Sequence, residues 1–195
     1  MKRPGITFLF ESVSTVGASD LLQAAQSCDR QCLVSLRQNY RAALVKHDPK
    51  AVPFADEVKF TENTANFLVR DGTWVTASGG PTEFQISAAD LVAQRVACLI
   101  IMQENGNRGV LFSARPRLKR GKIAEGEHHV VREGPAPMSN FQRPRPGLVE
   151  DLAPADRTPR DQMIDIGLAH YDELTRGDGT LAPFAEECER PKCAR

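Results

Sequence analysis

Five side chains in this sequence are of the types that move protons in enzymes. Tyr40 and Glu62 stand apart in the chain, whereas Glu127, His128 and His129 follow one another in the run EGEHHVV. A carboxylate or an imidazole beside apolar walls has a shifted pKa and acts as a general acid or base, and a tyrosine hydroxyl donates a hydrogen bond to a substrate oxygen. We therefore take these five residues as the candidate catalytic set.

Two of the candidates have a plainer interpretation as well. Tyr40 lies on the apolar stripe of a predicted helix, where it either faces a ligand or packs with its hydroxyl at the rim of the core. Glu62 follows the strand-like segment VKFT, where it is either a general acid or base or a solvated turn residue. The sequence leaves both alternatives open.

The adjacent histidines cannot bind one metal ion from one side, because neighbouring strand residues point to opposite faces. Glu125, Glu127 and His129 share one face. If that face is concave, Glu127 and His129 form an acid–base pair; if it faces solvent, His128 is the inward histidine. We predict no metal site from these residues.

Three further residues, Trp74, Phe60 and Asn63, are predicted to contact a ligand. Trp74 is the only tryptophan, and we expect it either to line a cavity or to pack in the core. Phe60 and Asn63 belong to the same segment, VKFTEN, as Glu62.

The sequence lacks the motifs of several cofactor-dependent and nucleophilic reactions. It contains no G-x-x-x-x-G-K-[ST], no G-x-G-x-x-G and no G-x-S-x-G. The remaining chemistry needs only a shaped cavity and one or two proton-transfer groups. We expect isomerisation, elimination, hydration or aldol-type cleavage of a small hydrophobic molecule, with no cofactor.

Length and charge limit the other possibilities. A chain of 195 residues with 41% hydrophobic and 26% charged residues can bury one core, which predicts one domain or one and a fraction. Twenty-five basic residues balance 25 acidic ones, so no electrostatic argument favours nucleic acid or an anionic membrane as a partner. Beyond the N-terminus, no segment approaches the roughly 20 apolar residues of a membrane span, which predicts a soluble protein.

The N-terminus and the cysteines point to export. Residues 1–26 start with a basic, then apolar, stretch that polar residues interrupt, so we interpret them as a degraded leader or a disordered tail. A cysteine pair near each end favours two end-to-end disulfides in a secreted or periplasmic protein, with a zinc site and a cytoplasmic location as the alternatives. Cys98 is expected to be a small buried hydrophobe. The two pairs are Cys28 with Cys32 and Cys188 with Cys193.

The chain repeats part of itself at an offset of 130 positions (178 − 48). This offset aligns HDPKAVPFADE with GDGTLAPFAEE, and it aligns the apolar positions of the helix predicted before each segment. His47 and Asp48 precede Pro49, so a helix end and turn is a simpler interpretation of that pair than a buried dyad. Thr158 is predicted to cap the second helix, and Gly177 or Gly179 to close it.

Between the two copies the pattern is extended. The segments 58–63, 96–105, 110–118 and 122–132 are predicted strands, and the last three are joined by tight turns into an antiparallel meander. Pro116 would make its strand short, bulged or an edge strand. Residues 134–157 are rich in proline and are predicted to be a linker.

A helix ending in HDP, the strand VKFTEN, the segment GTW and a meander closing with GKIAEGEHHVVR together resemble the nuclear transport factor 2-like, or SnoaL-like, superfamily. More narrowly, CDRQCL and TPRDQMIDIGLAHYDEL, each with its HDP-like turn, are similar to a family of secreted fungal and bacterial proteins built from two such halves. The resemblance covers about residues 28–193. Arg95, Pro116 and Gly126 depart from it, since apolar or strand-favouring residues are expected at those positions.

The resemblance implies an α+β fold with a cone-shaped, curved antiparallel sheet packed on an N-terminal helix. Residues 27–133 would form this domain, and residues 158–195 a partial second copy, a helix plus a short strand, that docks on the first. It also implies a cavity for a small hydrophobic molecule, used by a cofactor-independent lyase, isomerase or hydratase. The alternative is a non-catalytic ligand-binding or dimerisation module, in which case a homodimer is expected.

Overall fold

The structure is a computed structural model that describes residues 27–80, 82–132 and 141–185. The predicted leader, residues 1–26, and the cysteine pair Cys188 and Cys193 lie outside these ranges. Within them the protein is α+β, with a curved sheet packed against an N-terminal helix, as the sequence predicted.

The N-terminal helix, α1 (Arg30–Val45), is fixed at both ends by local contacts. The Asp29 side chain accepts a hydrogen bond from the Cys32 backbone N–H at 2.7 Å, which satisfies one of the free donors of the first turn. The helix ends before the short 3-10 turn Pro49–Ala51, as the proline predicted. Its apolar stripe is the buried face and consists of Leu33, Leu36, Tyr40, Ala43 and Leu44.

One sheet of eight strands covers that face of α1. The strand order is β2-β1-β8-β6-β5-β3, β4 pairs with another part of β5, and β7 pairs with both β5 and β8. A single turn of helix, α2 (Thr73–Thr76), precedes β3. The strands are β1 (Phe54–Glu62), β2 (Ala65–Asn66), β3 (Ala77–Gly79), β4 (Gln85–Asp90), β5 (Arg95–Glu104), β6 (Arg108–Ala114), β7 (Arg117–Lys119) and β8 (Lys122–Val131).

The sheet was predicted to be antiparallel, and one pair departs from this: β1 and β8 pair in parallel, which makes the sheet mixed. A parallel pair needs a long connection, and here all the intervening strands supply it. The register of this pair places Glu62 beside His128. Two residues that are 66 positions apart in the chain therefore share the inner face of the sheet.

The predicted meander is confirmed as β5, β6 with β7, and β8. Pro116 falls in the break between β6 and β7, so the predicted short strand is two short strands. Arg95 stands where an apolar or strand-favouring residue was expected, and it forms a salt bridge of 2.9 Å with Glu125 of β8. Strands β3 and β4 were not predicted, because QISAAD and ASG contain few strand-favouring residues.

The helix and turn of the first copy recur in backbone detail at the predicted offset. The second helix, α3 (Arg160–Arg176), has the same start and is followed by Gly177 at φ 67°, where the first copy has His47 at φ 54°. Asp48 and Asp178 each accept a hydrogen bond from the backbone N–H two residues later, at 3.1 and 3.0 Å. Even the ring contact recurs, since Tyr40 packs edge-on to Phe54 and His170 packs edge-on to Phe184.

The two helices differ in burial. Leu33 is fully buried in α1, whereas its counterpart Met163 is 54% exposed in α3, and α3 contains no buried residue. The predicted cap at Thr158 was wrong: Pro159 is at the N-cap position, and no described side chain caps the helix. Residues 181–185 are not a strand, and the assignment of 158–195 as a docked partial repeat stays a prediction.

The N-terminal cysteines pair with each other. Cys28 and Cys32 form a disulfide, so the end-to-end pairing expected from the sequence was wrong for this pair. Cys98 is a free thiol and is buried, as predicted. None of the helices in the described ranges is long and apolar enough to cross a membrane.

The strand glycine Gly126 is explained by its neighbours. A Cβ atom built on Gly126 would lie 3.0 Å from the Phe60 ring and 3.5 Å from the Tyr40 hydroxyl. We predict that Gly126→Ala lowers the free energy of unfolding by about 1–3 kcal/mol, because the ring must move in a packed core. Urea denaturation measures this change.

The matched control is Gly167→Ala, in the exposed helix α3, where an added Cβ meets nothing within 4 Å. Alanine favours the helix more than glycine by about 1 kcal/mol, so this variant should be as stable as the parent or more so. Equal effects of the two substitutions would contradict the packing role of Gly126.

Candidate functional site

Three of the predicted catalytic residues meet beneath α1. The Tyr40 hydroxyl lies 2.9 Å from His128 Nε2, and His128 Nδ1 lies 3.9 Å from Glu62 Oε2. All three are buried, with exposed fractions of 2%, 0% and 3%. The carboxylate favours a proton on Nδ1, so Nε2 accepts the hydrogen bond that the Tyr40 hydroxyl donates.

The Glu62 carboxylate is held by the start of α2. The backbone N–H and the hydroxyl of Thr73 both donate to Glu62 Oε2, at 2.8 and 2.6 Å. Gly72, at φ 60°, precedes Thr73, and a Cβ atom on it would lie 2.5 Å from Glu62 Oε2. The glycine therefore allows the carboxylate to reach the free N–H groups of the helix start.

Arg132 connects Glu62 to a second buried carboxylate. Its guanidinium donates to Glu62 Oε1 at 2.7 Å and to both oxygens of Glu104 at 2.7 and 2.9 Å. Thr76 of α2 also donates to Glu104, at 2.5 Å. The Arg132 side chain is 32% exposed, so this network runs from the core to the surface.

The charges in this cluster follow from these contacts. Burial alone raises the pKa of Glu62, but the neighbouring His128 ring, Thr73 and Arg132 outweigh it and hold that pKa well below its usual range. Burial lowers the pKa of His128 by more than the Glu62 carboxylate raises it, and burial raises the pKa of Tyr40. At neutral pH, Glu62 is therefore ionised while His128 and Tyr40 are uncharged.

Aromatic rings enclose the imidazole. Phe60 and Phe112 pack edge-on to His128 with ring centroids 4.8 Å away, and Tyr40 packs in the same way at 5.7 Å. Two buried nitrogens in this shell, His128 Nδ1 and Trp74 Nε1, have no hydrogen-bond partner among the described residues. The apolar surroundings strengthen every electrostatic interaction of the cluster.

The predicted ligand-binding residues have different surroundings. Trp74 and Phe60 are both 2% exposed and belong to the core, where Trp74 packs edge-on to Tyr40 at 5.3 Å. The Asn63 side chain exchanges two hydrogen bonds with the Val130 backbone, at 3.0 and 2.8 Å. Asn63 thus extends the pairing of β1 with β8 at the strand end.

Glu127 and His129 lie on the other face of the sheet and are not brought to the cluster. Their side chains are 31% and 52% exposed, and His129 Nε2 lies 3.1 Å from Glu127 Oε1. Arg115 also pairs with Glu127. His128 is therefore the inward histidine, and the face of Glu127 and His129 is the solvent face.

The sequence did not reveal the partners of Glu62. Thr73, Glu104 and Arg132 come from three separate segments, and nothing in the spacing of these residues predicts that they meet. A signal was present at Gly72, because glycine is among the residues favoured at a helix N-cap, where it stands here. No group of three or more His, Cys, Asp or Glu side chains in the described parts of the chain can hold a metal ion.

An open cleft lies next to Phe54, an aromatic residue at the edge of the cluster. It has a volume of about 630 Å³ and runs along the start of β1 and the segment 67–70. Phe54 lines the cleft and also packs edge-on to Tyr40 and Trp74, at 6.0 and 5.8 Å. The apolar lining residues are Val52, Phe54, Val58, Phe67, Leu68 and Val69.

We predict that His128 makes folding stability depend on pH. The unfolded chain takes up a proton at this histidine near pH 6.5, whereas burial keeps the folded histidine neutral to lower pH. The unfolded state then binds more protons, so the free energy of unfolding falls as the pH drops below about 6.5, by up to about 1.4 kcal/mol per unit. Urea denaturation between about pH 7 and pH 5 measures the slope.

His128→Gln should reduce this slope, and the exposed neighbour provides the control, His129→Gln, which should keep it. The lowered pKa of Glu62 acts in a separate range, since its contribution is lost only below the unfolded value near pH 4.3. A slope that His129→Gln reduces as much as His128→Gln would contradict the assignment.

No protein-family model and no curated protein matches the chain. Among solved structures it is similar to AclR from Streptomyces galilaeus, a proposed hydroxylase, at 14% identity over 65% of this chain and 92% of AclR, with a TM-score of 0.43. It is also similar to an NTF2-like protein of unknown function from Shewanella baltica OS155, at 12% identity over 52% of this chain and 92% of that chain, with a TM-score of 0.34. Likeness at this level assigns neither a family nor an activity, and the two-copy family stays a prediction.

Proposed function

We propose that this protein binds a small hydrophobic molecule in the cleft beside β1 and transfers a proton on it without a cofactor. Tyr40, His128 and Glu62 would be the catalytic residues, and the reaction would be that of a lyase, isomerase or hydratase. The observation that carries the proposal is the chain of contacts Tyr40–His128–Glu62 inside an aromatic shell. Ionisable groups with shifted pKa values and specific charge partners mark a candidate functional site.

The charge states suit a general base. A neutral imidazole can accept a proton at Nε2, and an ionised carboxylate near Nδ1 stabilises the imidazolium that forms. Thr73 and Arg132 hold Glu62 in its ionised form and fix its position. Glu62 would thus orient and stabilise the histidine without taking the proton itself, and Thr73 and Arg132 would support Glu62.

The cleft supplies the route for the substrate. Phe54 separates it from Tyr40, so a displacement of this one ring would join the cleft to the cluster. A substrate that replaces the Tyr40 hydroxyl at Nε2 would present an acidic C–H group to His128. The released hydroxyl would then donate a hydrogen bond to the oxygen on which negative charge develops.

In this scheme the proton moves from a substrate carbon to His128 Nε2. The electron pair of the broken C–H bond forms a double bond, and it either expels a leaving group or delocalises onto the adjacent oxygen. The imidazolium returns the proton to the leaving group or to another substrate carbon. The first course is an elimination and the second an isomerisation.

A non-catalytic binding module is the second candidate, and the burial of the cluster favours it. Tyr40, Glu62 and His128 are each at most 3% exposed, and rings contact the imidazole from several sides. In that case the cleft alone would hold the ligand, and the cluster would fix the core. A dimerisation module stays the further alternative from the sequence.

Proton abstraction can be measured with 5-nitrobenzisoxazole, an apolar probe that opens to a coloured phenolate when a base removes its C–H proton. We predict that His128→Gln lowers the protein-dependent rate by about 100-fold or more, because it removes the base. Tyr40→Phe should lower the rate by about 10-fold or more, because it removes the donor to the developing oxyanion.

His129→Gln and Glu127→Gln are the matched controls, since both residues lie on the solvent face of β8, and their rates should stay within about twofold of the parent. Equal rates for the parent and His128→Gln would contradict the catalytic proposal. If the probe then still shifts amide NMR signals of Val58 and Phe67 without turnover, the binding module is the function.

A further inference from the structure

A second cavity lies where the start of α3 faces the outer strands of the sheet. It has a volume of about 670 Å³, and its walls come from β4, the turn after β4, β5 and the first turn of α3. This size lies within the range of small-molecule sites. Its apolar walls are Ala88, Leu91, Val92, Ala97, Met163 and Ile164.

Four arginines from separate parts of the chain also line this cavity: Arg95, Arg115, Arg157 and Arg160. Among the described residues, Asp90 is the one carboxylate that lines it. A cavity with apolar walls and several guanidinium groups is suited to a ligand that has an apolar body and an anionic end.

The acidic partners neutralise only part of this positive charge. Arg160 binds both oxygens of Asp90, at 2.7 to 3.1 Å. Arg95 shares the Glu125 carboxylate with Arg117, at 2.9 and 2.7 Å, so two guanidinium groups face one carboxylate. Within the described part of the chain, one positive charge of that trio is left without a counter-charge.

Arg115 and Arg157 complete the charge balance. Arg115 pairs with Glu127 on the solvent face of the sheet. Arg157 donates its Nε–H to the Leu152 carbonyl oxygen at 2.9 Å, and no carboxylate of the described residues forms an ion pair with it. The cavity and its immediate partners therefore carry a net positive charge.

We propose that this cavity binds an amphipathic carboxylate, such as a medium-chain fatty acid, whose apolar chain packs on the walls while Arg157 pairs with the carboxylate. Guanidinium and carboxylate match in planar geometry, which favours a carboxylate over a neutral polar end. The bound molecule would contact both the sheet and α3. It would thus hold the second helix, which buries no side chain of its own, against β4.

This site is separate from the cleft beside β1 and does not depend on the proposed catalysis. The two share no lining residue. Chemical shifts can therefore tell them apart: a ligand in the α3 cavity perturbs the amides of Ala88 and Ala97, whereas a ligand in the β1 cleft perturbs those of Val58 and Phe67.

The test compares decanoate, decanol and decylammonium by isothermal titration calorimetry on the full chain, with the two ions below their critical micelle concentrations and decanol below its solubility limit. The three share one apolar chain and differ in charge. We expect decanoate to bind about 10-fold or more tightly than decanol, decylammonium to bind most weakly, and amide shifts for decanoate at Ala88 and Ala97.

Arg157→Gln should lower the ratio of the decanoate affinity to the decanol affinity by about fivefold or more. Lys119→Gln makes the same charge change away from the cavity and should leave this ratio unchanged. Ile164→Gln should weaken decanoate and decanol alike, because it makes the wall polar. Equal affinity for the three ligands, an unchanged preference in Arg157→Gln, no binding at all, or shifts confined to Val58 and Phe67 would each overturn the proposal.

Discussion

The ionised carboxylate of Glu62 inside the core is the constraint on which the rest of the structure depends. A buried carboxylate is tolerated only when donors surround it, and Glu62 obtains them from Thr73 and Arg132. Those donors come from α2 and from the end of β8, so satisfying one charge fixes three segments relative to one another. Glu104 repeats the arrangement from β5 with the same arginine.

The parallel pairing of β1 with β8 gives this charge its neighbour. Because Glu62 and His128 are register partners, the imidazole lies beside the carboxylate on the inner face of the sheet. Gly126, two positions earlier on the same face of β8, leaves the room that the Phe60 ring and the Tyr40 hydroxyl occupy. The histidine is thereby surrounded by rings on one side and by a salt-bridge network on the other.

The sequence predicted well what depends on local periodicity. The apolar stripe of α1, the three meander strands and the break at Pro116 follow from spacing and from proline chemistry. The fact that Glu127 and His129 share a face, opposite to His128, follows in the same way, although only the structure shows which face is buried. What escaped prediction depends on long-range pairing: the parallel register of β1, the donors of Glu62, and strand β4, which forms because β5 presents an edge to it.

The helix and turn at the start of the described chain recur, with the same local geometry, 130 positions later. His47 and Gly177 adopt the same left-handed conformation, and the aspartate after each of them closes the same turn, yet one copy is buried and the other is exposed. The backbone geometry of the helix and turn thus follows from residues close in the sequence, whereas the burial of the helix does not. A stretch of about 25 residues therefore keeps its local geometry in two settings that differ in how much of the helix is covered, so the packing of such a segment has to be supplied by residues distant in the sequence.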